Sequence, residues 1–209
     1  MKPVVISIFL LSLSLYDAAV LNCYQCNAKN NVTCEQTVVE CQEGEKCLII
    51  SEELQLNGTF PSIYKGCSRN IPCGKTPYSR ATNDVSIKFS TKCCDTDLCN
   101  ANFYEMPEDV APMGDTCPSC YAPNTLEVCD PGNNTIQCRA KSDRCFVFAG
   151  TAEKPDGVAF NFTLGGCMSS LTCQLAPDQL VGFTIFNYTV FVCTEHPTIS
   201  PTTVKKTEE

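Results

Sequence analysis

The side chains best suited to chemistry in this 209-residue chain are its 18 cysteines. Two Cys-x-x-Cys pairs, Cys23/Cys26 and Cys117/Cys120, have the spacing of a redox dithiol or of half a zinc site. A redox pair needs a lowered thiol pKa, usually at a helix N-terminus, and no long stretch here has helical periodicity. A structural zinc needs four free ligands, whereas cysteines at this density and in even number are typical of a disulfide scaffold. We therefore expect disulfides, with no metal site and no cofactor.

The other candidate groups lack the arrangement that catalysis needs. His196 is the sole histidine, and it lies in a polar tail that cannot hold a general base rigidly beside a nucleophile. Asp95 and Asp97 lie in a short loop without the run of oxygen ligands typical of a calcium site. The sequence also has no glycine-rich phosphate loop. We predict that the protein is not an enzyme and has no catalytic residues.

Residues 1–19 have the order of a secretory signal peptide. Lys2 gives a positive start, Val4 to Tyr16 is apolar, and small residues follow at Ala18 and Ala19. The apolar run is too short to span a membrane. We place cleavage between Ala18 and Val20 and predict a secreted, extracellular protein, in which disulfides would persist.

The formal net charge of −8 limits the classes of partner. An acidic chain lacks the basic surface that attracts nucleic acid or anionic lipid. The charge suits a basic protein partner, although surplus charge also serves solubility. We expect an extracellular protein as partner and no nucleic acid.

The cysteines divide the rest of the chain into two similar parts. Residues 20–100 contain ten and residues 117–195 contain eight, separated by the cysteine-free linker 101–116. Successive cysteines are 3, 8, 7, 6, 20, 6 and 20 residues apart in the first part, and 3, 9, 9, 7, 22, 6 and 20 apart in the second. This match indicates an internal repeat. Residues 196–209 are predicted to be a disordered tail without the hydrophobic stretch of a membrane-anchoring lipid signal.

The long intervals between cysteines have the pattern of β-hairpins. Val85 to Ser90 alternates apolar and polar side chains, as a half-buried strand does. Two apolar segments, Cys145 to Ala149 and Val158 to Leu164, flank a turn at residues 153–157 that contains Pro and Gly. Phe183 to Val192 is rich in aromatic and β-branched residues. We predict a small disulfide-rich, all-β fold of antiparallel strands and long loops.

The two ends of the first part resemble a known family. Leu-x-Cys-x-x-Cys from residue 21 and Cys-Cys-x-x-x-x-Cys-Asn from residue 93 are similar to the three-finger domains of the lymphocyte-antigen and urokinase-receptor family. The second part resembles them through its cysteine spacing. The resemblance implies two tandem three-finger, snake-toxin-like domains. Thr194 stands where the family has the second of its paired cysteines, so we expect the last small loop to be missing and the end of the second domain to be looser.

Spacing alone leaves the disulfide pairing open, since eight cysteines already allow about 105 pairings. The pairing that the family resemblance implies is Cys23–Cys47, Cys26–Cys34, Cys41–Cys67, Cys73–Cys93, Cys94–Cys99, Cys117–Cys145, Cys120–Cys129, Cys138–Cys167 and Cys173–Cys193. Each of the longer loops would contribute on the order of 3 kcal/mol by restricting the unfolded chain.

The layout of two domains behind a leader resembles two groups of secreted proteins, the gamma-type phospholipase A₂ inhibitors and the sodefrin-precursor-like proteins. The first resemblance implies a non-enzymatic binding protein that inhibits a secreted phospholipase A₂ by surface contact. The second implies a signalling ligand or pheromone that is read by a cell-surface receptor. A structural interaction module is a third alternative, and a homo-oligomer is compatible with all three.

Five Asn-x-Ser/Thr triplets are candidate N-glycosylation sites, at Asn31, Asn57, Asn133, Asn161 and Asn187. We expect at least two of them to carry glycans in a secreted protein. Asn187 lies in the middle of a predicted strand, so a glycan there would turn the alternate residues inward. These are Phe186, Tyr188, Val190 and Val192.

Loops held on a rigid scaffold are the usual place for recognition. The candidate tips are residues 54–61, 153–157 and 176–182. In the first tip Leu54, Leu56 and Phe60 form an apolar set. This set is either a partner-binding surface or the packing between the two domains.

The linker is a second candidate contact, because the proline-containing segment after the first domain is associated with inhibition in the inhibitor family. The matching positions are Phe103, Tyr104, Met106, Pro107, Val110, Pro112 and Met113. Glu105, Glu108 and Asp109 lie between them and would meet a basic phospholipase. A plain spacer is the alternative.

Overall fold

The computed structural model describes residues 20–68, 71–101, 104–106, 108–154, 156–174 and 184–194. The predicted leader and tail lie outside these residues, and so do His196, Phe103, Pro107 and the candidate tip at 176–182. The regular structure of the described chain consists of β-strands and two short 3₁₀ turns, at Cys99–Ala101 and Thr172–Gln174. The prediction of an all-β fold is confirmed.

The strands fall into two similar units. The first unit contains β1 (Asn22–Ala28), β2 (Thr37–Glu40), β3 (Cys47–Leu56), β4 (Thr59–Cys67), β5 (Tyr78–Arg80) and β6 (Val85–Cys94). The second unit contains β7 (Thr116–Pro118), β8 (Cys120–Pro123), β9 (Thr135–Gln137), β10 (Arg144–Glu153), β11 (Ala159–Met168) and β12 (Thr184–Thr194). The four strand segments expected from the sequence overlap β6, β10, β11 and β12.

The central hairpin of each unit follows from local turn chemistry. Between β3 and β4 the chain reverses at Asn57-Gly58, with φ angles of 51° and 150°. Positive φ angles are tolerated by Asn and Gly better than by other residues. Between β10 and β11, Gly157 has a φ of 83° and donates its N–H to the Lys154 carbonyl oxygen at 2.9 Å. This turn lies where the sequence predicts it.

The two units share a single sheet. Its strand order is β12-β10-β11-β5-β6-β3-β4-β1-β2, with β8 also paired to β11, while β7 and β9 form a separate pair. The units join where β5 pairs with β11, with Arg80 opposite Cys167 and Ser79 opposite Met168. Two residues of β5, Ser79 and Arg80, therefore pair with strands of both units, a junction that the sequence does not predict.

The sheet curves until strands near its two ends come into contact. Lys29, just after β1, donates to Thr184 Oγ1 of β12 at 2.7 Å, and its Nζ lies 3.7 Å from a carboxylate oxygen of Glu153 in β10. These contacts join the first finger of the first unit to the finger tips of the second. The inner faces of both units consequently point toward a common interior.

This interior is the main apolar core of the described chain. The first unit contributes Leu54, Ile87 and Phe89, and the second unit contributes Phe146, Phe148 and Phe162, among other residues. The rings of Phe148 and Phe162 stack with their centroids 5.2 Å apart. Because each unit alone is too small to bury a large core, pooling two apolar faces is an effective way to increase burial.

Strand β12 departs from the alternation expected from its sequence. Its register against β10 shifts between Ala149 and Gly150 and again between Thr151 and Ala152. Each irregularity adds a residue to one strand and reverses which side chains face inward. Val190 is therefore buried with Val147 and Ala149 on the outer face. Its expected companion Phe186 is 57% exposed, and Tyr188 instead packs near Phe148. The four alternate residues therefore do not all face inward, and a glycan at Asn187 stays a prediction.

All 18 cysteines lie in the described chain, and nine disulfides pair them without leaving a free thiol. Every pair is one that the family resemblance implies. Five disulfides lie in the first unit and four in the second. None crosses between the units.

Candidate binding surfaces

The Cys-x-x-Cys pairs are structural. Cys23 bonds Cys47 and Cys26 bonds Cys34, while in the second unit Cys117 bonds Cys145 and Cys120 bonds Cys129. Neither Cys-x-x-Cys pair is therefore bonded within itself. Disulfides stack closely at the base of each unit, where Cys41 Sγ lies 3.2 Å from Cys23 Sγ. Three sulfur atoms in each unit lie within 4.8 Å of one another, a spacing that thiolates around a metal also show. A disulfide sulfur is not a thiolate, so these clusters do not offer the ligands of a zinc site.

The acidic loop after β6 also has a structural role. Asp97 accepts a hydrogen bond from the Asn22 backbone N–H at 2.9 Å, and Asp95 lies 4.0 Å from the Lys46 ammonium group. The loop is closed by the Cys94–Cys99 disulfide. The two carboxylates are therefore used to hold the start of β1 and the chain before β3.

Asn100, which follows this loop, is buried and hydrogen-bonds to two strands. Its side-chain oxygen accepts from the Tyr24 backbone N–H at 2.8 Å, and its side-chain nitrogen donates to the Tyr24 and Leu48 carbonyl oxygens at 2.8 and 3.2 Å. The side chain thus hydrogen-bonds to backbone groups of both β1 and β3. The asparagine of the Cys-Asn ending has this structural role, and no asparagine occurs among residues 195–209, which follow β12 in the sequence.

The apolar tip of the first unit is not a free surface. Leu54 and Leu56 are 6% and 5% exposed and belong to the shared core, with Leu54 opposite Ile87 of β6. Phe60 is half-buried and packs against the same cluster. The curvature of the sheet turns this face toward the second unit. Of the two alternatives, the structure favours packing between the units, because Leu54 and Leu56 are not exposed to a partner.

The central hairpin tip of the second unit is partly engaged. Glu153 pairs with Lys29, and the Lys154 ammonium group lies 5.1 Å from the centroid of the Phe160 ring. Val158, at the end of the turn, remains half exposed. This tip therefore combines an exposed apolar side chain, Val158, with a cation, Lys154, whose ammonium group lies over the Phe160 ring.

The first part of the linker lies along the first unit. Tyr104 donates its hydroxyl hydrogen to the Glu52 carbonyl oxygen at 3.2 Å, and the Glu105 N–H donates to Ser51 Oγ at 3.0 Å. Burial, together with the nearby carboxylates of Glu53 and Glu52, raises the pKa of Tyr104 to about 12. The linker is thus docked on β3 rather than being a plain spacer in this region.

Two of the three linker acids are used within the molecule. Glu105 forms an ion pair with Lys92. Asp109 bridges the units, since its carboxylate lies 3.4 Å from the Lys88 ammonium nitrogen and 2.7 Å from a guanidinium nitrogen of Arg139. Glu108 is exposed, and no ion pair of it is described. The expectation that all three acids await a basic partner is therefore corrected for Glu105 and Asp109.

The second part of the linker, residues 108–113, presents apolar side chains to solvent, and we call it the linker strip. Val110 is 61% and Met113 70% exposed, and Pro112 is also exposed. The strip is fixed at both ends, by Asp109 and by the Met113 N–H, which donates to the Arg139 carbonyl oxygen at 3.2 Å. Among the predicted linker contacts, the linker strip is the segment whose apolar side chains are exposed.

A buried tyrosine fastens the two units together. Tyr78 of β5 donates its hydroxyl hydrogen to Asp143 Oδ2 at 2.6 Å and accepts from the Arg139 backbone N–H at 2.9 Å. The Arg139 guanidinium lies 4.3 Å from the centre of the Tyr78 ring. Burial, and next the hydrogen bond to Asp143, raise the pKa of Tyr78 well above its usual value. The phenol therefore remains protonated, as a structural donor does.

An apolar cavity lies between the inner faces of the two units. The volume of the cavity is about 130 Å³. Both units line it, for example through Leu54, Phe89, Phe148 and Phe162. Sequence reasoning missed this cavity and the Tyr78 contact. The available signal was the pair of apolar faces, on β3 and on β10–β11, which are larger than one small domain needs for itself.

All five candidate glycosylation sites have exposed asparagines. Asn161 and Asn187 lie in one row across the second unit, since each is opposite Thr151 of β10. Directly opposed residues share a face of a sheet, and the neighbouring Phe162 belongs to the inner core. Glycans at these two positions would therefore extend from the outer face, away from the cavity.

The fold and the disulfides define a protein of two tandem three-finger units. Residues 19–102 and 113–200 each match the u-PAR/Ly-6 domain. The chain belongs to the u-PAR/Ly-6 family. Proteins of this family are typically secreted or GPI-anchored binding proteins, generally without enzymatic activity, that meet partners outside the cell or at its surface. Within the described residues, no helix has the length and apolar character to cross a membrane.

Individual relatives are similar to one part of the chain. Lymphocyte antigen 6 complex locus protein G6d from Rattus norvegicus is 31% identical over 88 residues, which are 38% of this chain and 65% of that protein. Prostate stem cell antigen from Homo sapiens is 34% identical over 91 residues, 43% of this chain and 73% of that protein. The chain thus spans slightly less than two thirds of the G6d protein. The crystal structure of mouse TEX101 aligns with 83% of this chain and 97% of that chain, at 16% identity and a TM-score of 0.36.

Proposed function

We propose that the chain is a secreted, non-enzymatic protein that inhibits an extracellular phospholipase A₂ by surface contact. The observation that carries the proposal is the linker strip, which exposes Val110, Pro112 and Met113 together. Adjacent exposed apolar side chains are more often contact sites than isolated ones are. The strip also occupies the position that the inhibitor resemblance implies.

The anchoring of the linker strip supports this role. Asp109 holds one end through Arg139, and the Met113 backbone holds the other. A segment fixed in advance loses less conformational entropy when it docks than a free one does. Exposed Glu108 and the net charge of −8 favour a basic partner surface through electrostatic steering.

The alternative is a secreted signalling ligand, and the hairpin tip of the second unit favours it. Val158 is exposed there, and its carbonyl oxygen accepts a hydrogen bond from the Lys154 backbone N–H at 3.0 Å. This tip is separate from the linker strip in the sequence. In that case a cell-surface receptor would contact the tip, and changes in the linker strip would leave binding intact.

Secretion is part of the proposal. Expression of the full chain in cultured cells is expected to release protein into the medium whose first residue is Ala19 or Val20. N-terminal sequencing of the released material checks this result. Retention of all the protein inside the cells would contradict it.

The inhibitor proposal is tested with purified protein and a panel of secreted phospholipases A₂ that includes basic ones. We expect a stoichiometric loss of hydrolysis of a micellar substrate for at least one basic enzyme. Val110→Asp is expected to weaken that inhibition by about tenfold, because it places a charge in the apolar contact. The matched control is Val128→Asp, since Val128 is exposed at a site remote in sequence from the linker strip.

Unchanged hydrolysis by every enzyme at micromolar excess of the protein would overturn the inhibitor proposal. Inhibition that responds equally to both variants would retain the activity but exclude the linker strip as its site. Binding to receptor-bearing cells that is lost in Val158→Asp, with no effect on any phospholipase, would support the signalling alternative.

A further inference from the structure

The cavity between the units has the properties of a ligand site. It lies between curved inner faces that belong to different units, rather than inside one small domain. Ile71, Leu171 and Ile185 line it and remain partly exposed, so the cavity reaches the surface of the described chain. A small molecule can therefore enter it without unfolding of either unit.

The lining offers almost no free polar atoms. Thr91 Oγ1 already donates to the Pro72 carbonyl oxygen at 2.7 Å, and Thr172 Oγ1 donates to the Tyr78 carbonyl oxygen at 3.1 Å. Within the described residues, every buried side-chain nitrogen and oxygen has a hydrogen-bond partner. A bound water needs two to four polar partners, so water is held poorly in such a cavity. An apolar ligand needs no hydrogen-bond partners, so it does not have this disadvantage.

We propose that this cavity binds a small, uncharged, apolar molecule about the size of one aromatic ring. An apolar cavity of about 150 Å³ in another protein remains dry and binds benzene. The volume here, about 130 Å³ by the corresponding measure, is close to that value. The rings of Phe148 and Phe162 offer flat surfaces on which an aromatic ligand can stack.

The composition of the lining selects against anions. No Lys, Arg or His is among the described residues that line the cavity, so the lining offers an anion no counter-charge. An anionic ligand without a counter-charge has a large desolvation cost in surroundings of low dielectric constant. A neutral ligand avoids this cost. The proposal therefore concerns neutral aromatic or aliphatic compounds rather than fatty acids.

The test uses indole as the probe. The chain contains no tryptophan, so indole fluorescence can be followed without protein emission of the same kind. We expect a saturable blue shift with a stoichiometry of one indole per chain. Benzene and toluene are expected to compete with indole. Benzoate, which carries an anionic carboxylate where toluene has a methyl group, is expected to compete at least about tenfold less well.

Two substitutions fill the cavity. Leu164→Phe and Leu171→Phe both enlarge side chains that line it, one from β11 and one from the loop before the second 3₁₀ turn. Each is expected to weaken indole binding by about tenfold, because a ligand the size of one ring has little spare volume. The matched control is Leu126→Phe, an exposed leucine in a loop, which is expected to leave binding unchanged.

The size series tests the proposal without any variant. Pyrene, with four fused rings, is expected not to compete with indole. An indole shift that stays linear to its solubility limit in the folded protein would overturn the proposal. Equal competition by benzoate and toluene, or equal indole binding in all three variants, would overturn it as well. The phospholipase assay is a separate measurement, and its outcome does not affect this one.

Discussion

Asn100 is a residue whose importance lies in backbone groups far away in the sequence. It makes three hydrogen bonds to Tyr24 and Leu48, which are 76 and 52 positions distant. The sequence identifies this asparagine through a motif, but its partners become known only from the fold. Motif resemblance can therefore locate such a residue without explaining it.

Asn100→Ala is expected to lower the free energy of unfolding by about 2–4 kcal/mol, because it removes three hydrogen bonds to backbone groups of Tyr24 and Leu48. Urea denaturation followed by circular dichroism measures this change. Asn134→Ala is the control, since Asn134 is exposed, and its cost is expected to stay below about 0.5 kcal/mol. Similar costs for the two substitutions would contradict the role given to Asn100.

Tyr78 gives the protein a defined response to alkaline pH. Burial and Asp143 raise its folded-state pKa, whereas an unfolded tyrosine titrates near pH 10. Above about pH 10 the unfolded chain loses the phenol proton while the folded chain keeps it, so the unfolded state binds fewer protons. The stability due to Tyr78 is therefore present below about pH 10 and falls as the pH rises further.

The measurement compares wild type with Tyr78→Phe in urea titrations from pH 8 to pH 11.5. The substitution is expected to cost about 1–3 kcal/mol at pH 8, by leaving Asp143 and the Arg139 N–H without this partner. The difference is expected to shrink above about pH 10. Subtracting the stability of the Tyr78→Phe variant from that of the wild type cancels the pH dependence that both proteins share. This shared part includes the titration of Tyr104, whose pKa is raised to about 12, and of Lys65, whose pKa is lowered by burial. A difference that is constant with pH would refute this account.

At the scale of elements, the loop closed by Cys94–Cys99 is an addition rather than a requirement of the fold. The second unit has Thr194 in place of the second paired cysteine, yet β12 still pairs with β10 as far as Thr194. The expected looser end of the second unit is therefore not visible in this ladder. Strand pairing continues without the small loop.

Removal of this disulfide by Cys94→Ala with Cys99→Ala is expected to cost about 2 kcal/mol, because the loop it closes spans only 5 residues. The comparison is Cys73→Ala with Cys93→Ala, which opens a loop of 20 residues and is expected to cost about 3 kcal/mol. Thermal unfolding under oxidising conditions measures both. A larger loss for the shorter loop would show that it does more than restrict the unfolded chain.

In strand β12, the alternation of residues along the sequence does not predict which side chains face inward. The sequence predicts the strand itself, because its aromatic and β-branched residues favour extended structure. It does not predict the two register shifts against β10, which depend on how neighbouring strands twist together. Whether Tyr188 faces inward or outward follows from those shifts. The sequence therefore predicts the existence of the element but not its faces.

At the scale of the whole molecule, the two units are joined by several kinds of contact. They share a sheet through β5 and β11, an apolar interior, and the contacts of Lys29, Tyr78 and Asp109. We expect unfolding to be a single cooperative transition, since neither inner face is covered when the units separate.

Phe148→Ala tests this coupling. The substitution is expected to cost about 3–5 kcal/mol and to reduce hydrogen-exchange protection in β3 and β6 of the first unit as well as in β10. Val190→Ala is the control, because Val190 packs on the outer face of the second unit. Its effect is expected to remain within the second unit. Loss of protection confined to the second unit in both variants would show that the units unfold independently.

The arrangement of the units is the part of the fold that the sequence predicts least. Cysteine spacing reveals two repeats, and the family resemblance supplies the pairing, because both are local or inherited patterns. The fate of Leu54 and the partners of Asp109 depend instead on contacts between distant segments. The sequence therefore raised the correct alternatives for these residues without deciding between them.

The disulfides of this protein all lie within single units, so the linker is the only covalent connection between the two halves. A protease that cuts the exposed residues 108–113 would produce two fragments joined by no bond. They would still travel together through a gel-filtration column, because β5 would remain hydrogen-bonded to β11 and Tyr78 to Asp143. Separately made halves would then be able to reassemble, and halves from different variants could be exchanged.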